Sequence, residues 1–211
     1  MKYSIVEVKE EIKKRGNQFR RQVISCKDKV AKLAHPFISD RSVILVNSKS
    51  TIVYKTLCEA AQSHKRFTVF VTQSSVDNSG EIMLEWLKKK GIECNLILDS
   101  AIGYYMEKVD LVLTGAEGVL ENGGIINKIG TYPLALCAKA MNKPFYVLVE
   151  SFKFARLYLL NQDDIPQRIK CKHSANPIVD YTPPAFITLL LTNLGSLTTA
   201  AVSDVLMQLY L

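Results

Sequence analysis

The residues best suited to chemistry lie in one glycine-rich stretch, 115–131. It carries an acid, Glu117, an amide, Asn127, and an ammonium group, Lys128. The apolar run before it, 109–114, predicts a buried parallel strand. In an open α/β sheet, ligands bind beyond the carboxyl ends of the strands, where the next helix begins. This stretch therefore offers groups that suit a phosphorylated sugar.

Two of these side chains allow more than one interpretation. Lys128, close to a helix start and its free N–H groups, suits a phosphate, whereas the alternative is an ordinary surface lysine on a loop. Asn127 and the neighbouring glycine pairs favour the binding role. Glu117 can act as an acid or base on a sugar hydroxyl. It can equally be an acid that hydrogen-bonds inward and holds the loop.

Further polar residues follow the other predicted strands. Ser48 and Ser50 precede a helix at Thr51, where they can cap that helix or bind an anion, and capping is the favoured role. No histidine stands in a recognisable relation to these serines, so no hydrolytic triad is indicated. Asp180 lies between prolines and is expected to anchor a turn. Lys153 is a weaker candidate for contact with a phosphate or a partner.

Composition narrows the class of protein. The chain has 211 residues, a formal net charge of +7 and 48% hydrophobic residues, which suits one α/β domain with a short extension. Five cysteines without a C-x-x-C pair indicate reduced thiols. Three scattered histidines suggest no metal site. No apolar run is long enough for a signal peptide or membrane span, so a soluble, cytoplasmic protein is expected.

The elements that position these groups follow from periodicity. Residues 4–34 have apolar positions at helical spacing, and Gly16 is expected to kink or divide this helical region. Short apolar runs then alternate with helices, which predicts a doubly wound, mainly parallel, Rossmann-like sheet. We expect a helical extension, 1–38, and an α/β domain, 39–211. The predicted strands are 43–47, 67–72, 94–98, 111–115 and 144–150, and the predicted helices between them are 51–63, 79–90, 100–108 and 125–141.

The end of the chain follows a different pattern. Residues 160–176 are polar and predict a loop. Residues 186–192 predict either a strand or a short helix, because periodicity does not separate the two. A last helix is expected from Thr198 through Leu209 and Tyr210, and its apolar ending indicates docking against another surface.

Several motifs together resemble one known family. They cover essentially the whole chain and lie in residues 115–131, 143–147, 150–154, 160–166, 180–183, 201–204 and 209–211. In these motifs the chain resembles the regulatory alpha, beta and delta subunits of eukaryotic translation initiation factor 2B, and its alpha-type members in particular. The same family includes isomerases for methylthioribose 1-phosphate and ribose 1,5-bisphosphate.

The resemblance implies a Rossmann-like domain that forms dimers and a pocket descended from a sugar-phosphate site. This chain departs from the isomerases at two positions, because Ser48 replaces their catalytic cysteine and Glu117 their catalytic aspartate. A serine is a far weaker acid than a cysteine, so proton transfer near neutral pH would be handicapped. Family alpha subunits also carry an N-terminal helical domain of which this chain has only the last helix, which puts sensing of phosphorylated initiation factor 2 in doubt.

The sequence therefore predicts a regulatory, non-catalytic subunit of the guanine nucleotide exchange factor for initiation factor 2. Its expected partners are a second copy of the chain, beta- and delta-type subunits, and initiation factor 2, without membrane or direct nucleic-acid contact. No cofactor is expected. The predicted ligand is a phosphorylated sugar or nucleotide sugar, bound by Ser48, Glu117, Asn127 and Lys128. The alternative is an aldose–ketose isomerase acting on a phosphorylated ribose.

Overall fold

A doubly wound α/β sheet organises the chain. The computed structural model describes residues 5–166, 169 and 176–209, and the predicted helical end at Tyr210 lies outside these residues, as does Cys171. The helices are α1 Ile5–Ala34, α2 Thr51–Gln62, α3 Ser79–Lys88, α4 Ile102–Met106, α5 Thr131–Ala140 and α6 Val202–Leu209. Short 3-10 turns at Asp99–Ala101 and Thr199–Ala201 precede α4 and α6.

Eleven strands form two sheets within the described residues. The larger sheet has seven strands in the order β11-β10-β7-β4-β1-β2-β3, and only its edge pair β10–β11 is antiparallel. This confirms the predicted mainly parallel fold. The strands are β1 Ser42–Val46, β2 Phe67–Thr72, β3 Glu93–Ile97, β4 Leu111–Thr114, β5 Gly118–Leu120, β6 Ile125–Lys128, β7 Phe145–Val149, β8 Phe154–Ala155, β9 Val179–Thr182, β10 Leu189–Thr192 and β11 Gly195–Leu197.

The large sheet is buried on both faces, as its continuous apolar strands require. Alternate residues of β1 point to opposite faces, so Ile44 and Val46 lie in one apolar cluster and Leu45 in the other. Helices α1, α2 and α3 cover the first cluster, and α4, α5 and α6 cover the second. The last turns of α1 take part through Val30 and Ala34, whereas most of its first half is exposed.

The small sheet corrects one prediction. Residues 125–141 were expected to form a single helix, but Ile125–Lys128 is strand β6, and α5 begins only at Thr131. The small sheet has the order β8-β5-β6-β9. Strand β6 pairs antiparallel with β5 on one side and β9 on the other. Gly130, with φ 98°, separates β6 from α5 because a left-handed backbone conformation cannot continue either element.

Two further expectations are resolved by the backbone. The first helix is continuous through Gly16, so the predicted division of residues 4–34 is wrong. At the other end, Pro184–Phe186 forms a 3-10 turn and Leu189–Thr192 a strand that pairs parallel with β7. For residues 186–192 the sequence left strand and short helix open. The strand is therefore confirmed only for the second half of this segment. Within the predicted loop 160–176, Gln162–Asp164 forms a 3-10 turn, and residues 167, 168 and 170–175 lie outside the described residues.

Candidate functional site

A cavity of about 170 Å³ lies at the carboxyl ends of β1 and β4, where α2 begins. It brings together all four predicted ligand-binding residues, Ser48, Glu117, Asn127 and Lys128. A larger cavity of about 510 Å³ lies at the opposite ends of β2 and β3 and contains none of them. The smaller cavity is also lined by Asn47, Lys49, Ser50, Thr51, Ile52, Gly115, Ala116, Glu150 and Lys153.

Buried amides and hydroxyls fix the floor of this cavity. The Asn127 side-chain NH₂ donates to Thr114 Oγ1 at 3.1 Å and to Thr131 Oγ1 at 3.0 Å. Asn47 Nδ2 donates to the same Thr131 oxygen at 2.9 Å. Because both hydrogen bonds of the Asn127 amide go to protein groups, the residue holds β6 against β4 and the start of α5. Its position beside Lys128 is therefore fixed by the protein itself.

Ser48 occupies an unusual backbone conformation directly after β1. Its φ is 57°, and the residue is 2% exposed. The backbone N–H donates to Thr72 Oγ1 at 3.0 Å, and the hydroxyl lies 2.5 Å from Ser79 Oγ, with either atom able to donate. Ser50 performs the predicted capping role, because its Oγ accepts from Val53 N at the start of α2.

Lys128 is held at the border of the cavity by an acid that the sequence analysis missed. Its Nζ donates to Asp77 Oδ2 at 2.6 Å and to Ser79 Oγ at 2.7 Å. Burial raises the pKa of Asp77, but hydrogen bonds from Lys128 and Ser79 outweigh it and lower this pKa to about 2. Asp77 follows β2 at the same sheet edge, and its place in an Asp-Asn-Ser segment before a helix is the signal that could have identified it.

Glu117 is the most accessible of the predicted residues. Its backbone N–H donates to Ile126 O at 2.9 Å, which ties the residue to β6. Among the described residues, its side chain has no hydrogen-bond partner, and it is exposed at the border of the cavity. The alternative of an inward hydrogen-bonding acid is therefore not what the structure contains. The carboxylate is open to solvent at the border of the cavity.

The buried Glu150 and the neighbouring Lys153 form another wall of the cavity. Of these two residues, only Lys153 was a candidate from the sequence. Glu150, 1% exposed, lies between two lysines. Its Oε2 is 3.2 Å from Lys153 Nζ but lacks hydrogen-bond geometry, and its Oε1 is 4.0 Å from Lys27 Nζ. Lys153 Nζ donates to Ala116 O at 2.8 Å, so this lysine bridges the end of β7 and the loop after β4.

Asp180 anchors a turn, though not a turn of its own segment. Its Oδ2 accepts from Gly130 N at 2.8 Å and from Tyr132 N at 2.9 Å, at the start of α5. Its Oδ1 is buried and finds no hydrogen-bond partner in the described part of the chain. Burial raises the pKa of Asp180 to about 7, against the lowering effect of the backbone hydrogen bonds from Tyr132 and Gly130. The residue holds the turn that follows Lys128.

Other kinds of site find no support in the described parts of the chain. Residues 5–166, 169 and 176–209 contain no group of three or more His, Cys, Asp or Glu side chains that could hold a metal ion. No helix among them is both long and apolar enough to cross a membrane. Four of the five cysteines fall within these residues, and all four are free thiols.

Fold and site together define a doubly wound α/β protein with a polar cavity beyond its parallel strands. Residues 1–199 match the Initiation factor 2 subunit family, and the chain belongs to this family. It is 43% identical over 223 residues to translation initiation factor eIF2B subunit alpha of Dictyostelium discoideum, covering 96% of this chain and 69% of that protein. It is 41% identical to the subunit alpha of Caenorhabditis elegans, covering 94% of this chain and 68% of that protein.

A catalytic relative is more distant. The chain is 29% identical to the ribose 1,5-bisphosphate isomerase of Archaeoglobus fulgidus, covering 92% of this chain and 66% of that protein. Among solved structures, it resembles translation initiation factor eIF-2B of Pyrococcus horikoshii with a TM-score of 0.79 and 29% identity, covering 88% of this chain and 69% of that one. It shares the fold of eIF2B beta from Chaetomium thermophilum, with a TM-score of 0.76 and 24% identity, covering 91% and 56% of the two chains.

Proposed function

We propose that this chain is a regulatory, non-catalytic subunit of the guanine nucleotide exchange factor for translation initiation factor 2, and that it acts in the cytoplasm. The observation that carries this proposal is the identity of 43% and 41% to two alpha subunits over nearly the whole chain. The chain would pair with a second copy through its α/β domain, 39–211. The dimer would then join beta- and delta-type subunits and contact initiation factor 2.

Reconstitution tests this assembly. Purified chain is mixed with beta- and delta-type subunits, the mass of the complex is measured by native mass spectrometry, and release of GDP from initiation factor 2 is followed with and without the chain. We expect two copies of the chain in the larger complex and faster exchange in its presence. A chain that stays apart from the other subunits and leaves exchange unchanged would contradict the proposal.

The cavity is proposed to bind a phosphorylated sugar or nucleotide sugar as a signal. The N-terminus of α2 offers backbone N–H groups to a phosphate, and Lys128 and Lys153 border the same space. Glu117, with its free and exposed carboxylate, suits a sugar hydroxyl. Asn127 and Ser48 would shape the site, since each is buried and hydrogen-bonded within the protein.

Lys128→Ala tests the ligand site. The substitution removes a cation from the cavity border, so the affinity for ribose 5-phosphate, measured by calorimetry, should fall at least about tenfold. Lys139→Ala is the matched control, because Lys139 is an exposed lysine of α5 that does not line the cavity. Equal affinity in the wild type and in Lys128→Ala would exclude Lys128 from the site.

The identity of 29% to a ribose 1,5-bisphosphate isomerase supports a second candidate function, aldose–ketose isomerisation of a phosphorylated ribose. The hydroxyl of Ser48 argues against this second function, because it is a weak acid and is already hydrogen-bonded to Ser79. Incubation with a phosphorylated ribose, followed by NMR, separates the two functions. We expect no turnover. Turnover that disappears in Glu117→Gln would favour the isomerase.

A further inference from the structure

The cations that border the cavity are all engaged within the protein. Lys128 binds Asp77 and Ser79. Lys153 donates to the Ala116 carbonyl and lies beside Glu150. Lys49 lies over the Trp86 ring, 5.5 Å from its centroid. A phosphate that enters the cavity must therefore take a cation from an existing partner.

The partner of Lys128 can be exchanged more readily than that of Lys153. Asp77 and Ser79 are not among the residues that line the cavity, although Lys128 is. The Asp77 side chain is 46% exposed and that of Lys128 is 27% exposed, so both can rearrange without unpacking the core. Lys153, by contrast, is the nearer of the two lysines beside the buried Glu150 carboxylate, which without it would keep only Lys27 at 4.0 Å.

Asp77 is positioned for this contact by the loop that carries it. Its Oδ1 accepts from Ser79 N at 3.1 Å and from Ser74 Oγ at 3.2 Å, which leaves Oδ2 for Lys128. The loop is itself anchored, because Asp99 accepts from the backbone N–H groups of Ser74 and Ser75 at 2.9 and 2.8 Å. The acid is thus held in place by the protein and not only by the lysine.

We propose that Asp77 is a built-in competitor of the ligand's phosphate: it occupies Lys128 in the empty protein and is displaced from it when the ligand binds. This inference rests on the proposed ligand site. A phosphate and the Asp77 carboxylate carry the same sign of charge and make the same hydrogen bonds to an ammonium group. The acid therefore lowers the affinity of the cavity for anions and sets the ligand concentration at which the site fills.

Asp77→Asn tests this role. The amide oxygen keeps an acceptor for Ser79 N–H, but the charge that competes for Lys128 is gone. Inorganic phosphate and ribose 5-phosphate are the probes, and affinity is measured by calorimetry at low ionic strength. We expect both to bind about threefold to tenfold more tightly to the variant, with a smaller difference at high salt. Asp77→Ser, which also retains an acceptor before α3, is a second variant with the same expectation.

The control is Glu81→Gln, an equal change of charge at an exposed acid in the first turn of α3. Its affinity for phosphate should match that of the wild type, which separates competition at Lys128 from net charge. Weaker or unchanged binding in both Asp77 variants would overturn the inference while leaving the ligand site intact. If no variant binds either probe, the ligand site itself fails, and the inference with it.

A measurement on the empty protein supplies an independent readout. Asp77 and Ser79 cover the ammonium group of Lys128, so an amine-specific reagent should label Lys128 more slowly in the wild type than in Asp77→Asn. Peptide mass spectrometry gives the labelled fraction at Lys128 and, for comparison, at Lys139. Equal labelling of Lys128 in the two proteins would also overturn the inference.

Discussion

At the scale of single residues, two acids of similar intrinsic strength behave in opposite ways. Asp77 is half exposed and paired with an ammonium group, so its pKa is lowered to about 2. Asp180 is 3% exposed and forms no ion pair with any residue that the structure describes, so burial raises its pKa to about 7. Both acids position the segment around Lys128. Asp77 binds the lysine side chain, and Asp180 holds the turn that follows the lysine. Only Asp180 changes its charge near neutral pH.

Asp180→Asn should alter how stability depends on pH. Because the pKa of Asp180 is raised in the folded state, the folded protein binds the proton more tightly than the unfolded chain between about pH 4 and pH 7. The contribution of Asp180 to stability is therefore largest below this window and decreases as pH rises through it. We expect Asp180→Asn to gain about 2–4 kcal/mol relative to wild type from pH 4 to pH 7.

Urea unfolding at several pH values between 4 and 8 measures this difference. Asp204→Asn, a change at an exposed acid of α6, is the charge-matched control and should show a much smaller trend. A difference between Asp180→Asn and wild type that stays constant with pH would mean that folding does not raise the pKa of Asp180.

For two residues of the candidate site, proximity could be predicted because each follows the end of a predicted strand. Ser48 and Glu117 follow β1 and β4, and parallel strands bring such positions to one edge, so their proximity could be predicted. Asp77 and Glu150 were missed because their roles depend on which lysine each one meets. The Asp-Asn-Ser segment before α3 is a local signal for Asp77 as a residue, but its pairing with Lys128 joins residues far apart in sequence, and a single sequence does not show such a pairing.

At the scale of elements, α1 shows why a glycine inside a helical pattern is a weak predictor of a break in the helix. Gly16 lies in an exposed stretch of this helix, and a Cβ there would meet nothing within 4 Å. Its conformational freedom costs helix stability but does not break the helix, because the residues on both sides favour it. The strand β6 was mistaken for helix for a related reason: its four residues are too short to show a period, and the β-branched Ile125 and Ile126 were the available signal.

Gly16→Ala should stabilise this part of α1 by about 0.5–1 kcal/mol. Hydrogen exchange of the backbone amides in residues 8–22 is the suitable measurement, since this half of the helix is exposed and exposed helical turns are where local opening is expected. We expect slower exchange there and little change elsewhere. Faster exchange in this segment would contradict the expectation.

Gly91→Ala is the matched comparison. A Cβ there also meets nothing within 4 Å, but Gly91 has φ +70°, a conformation that side chains disfavour. It follows α3 and its N–H donates to Lys88 O at 2.9 Å, so this conformation ends the helix. We expect Gly91→Ala to lower the free energy of unfolding by about 1 kcal/mol, measured by urea unfolding.

At the scale of the whole molecule, Glu150 and Lys153 connect parts that are distant in sequence. Lys153 reaches from the end of β7 to the loop after β4, and Lys27 brings α1 to the same carboxylate. The seven-stranded sheet, the small sheet and the first helix therefore meet at one buried charge. The general architecture could be predicted from alternating apolar runs, but this junction could not, because it needs the arrangement of all three parts.

Lys153→Gln should destabilise the fold, because Glu150 would keep only the more distant Lys27 as a cation. We expect a loss of about 1–3 kcal/mol in the free energy of unfolding, measured with urea. In the double variant Lys153→Gln/Glu150→Gln, part of this loss should be recovered, since the uncompensated charge is gone. Additive effects of the two changes would mean that the residues do not interact.

The distance in sequence between strands β6 and β9 affects how the protein folds during its synthesis. Strands β1, β2 and β3 pair with neighbours in sequence and can assemble as they leave the ribosome. Strand β6, which carries Asn127 and Lys128, lacks one of its partners until residues 129–182 have been added. At bacterial or eukaryotic rates of synthesis, that interval lasts roughly 3–10 s. For this time one edge of β6, the strand that carries two residues of the cavity wall, is open to wrong partners.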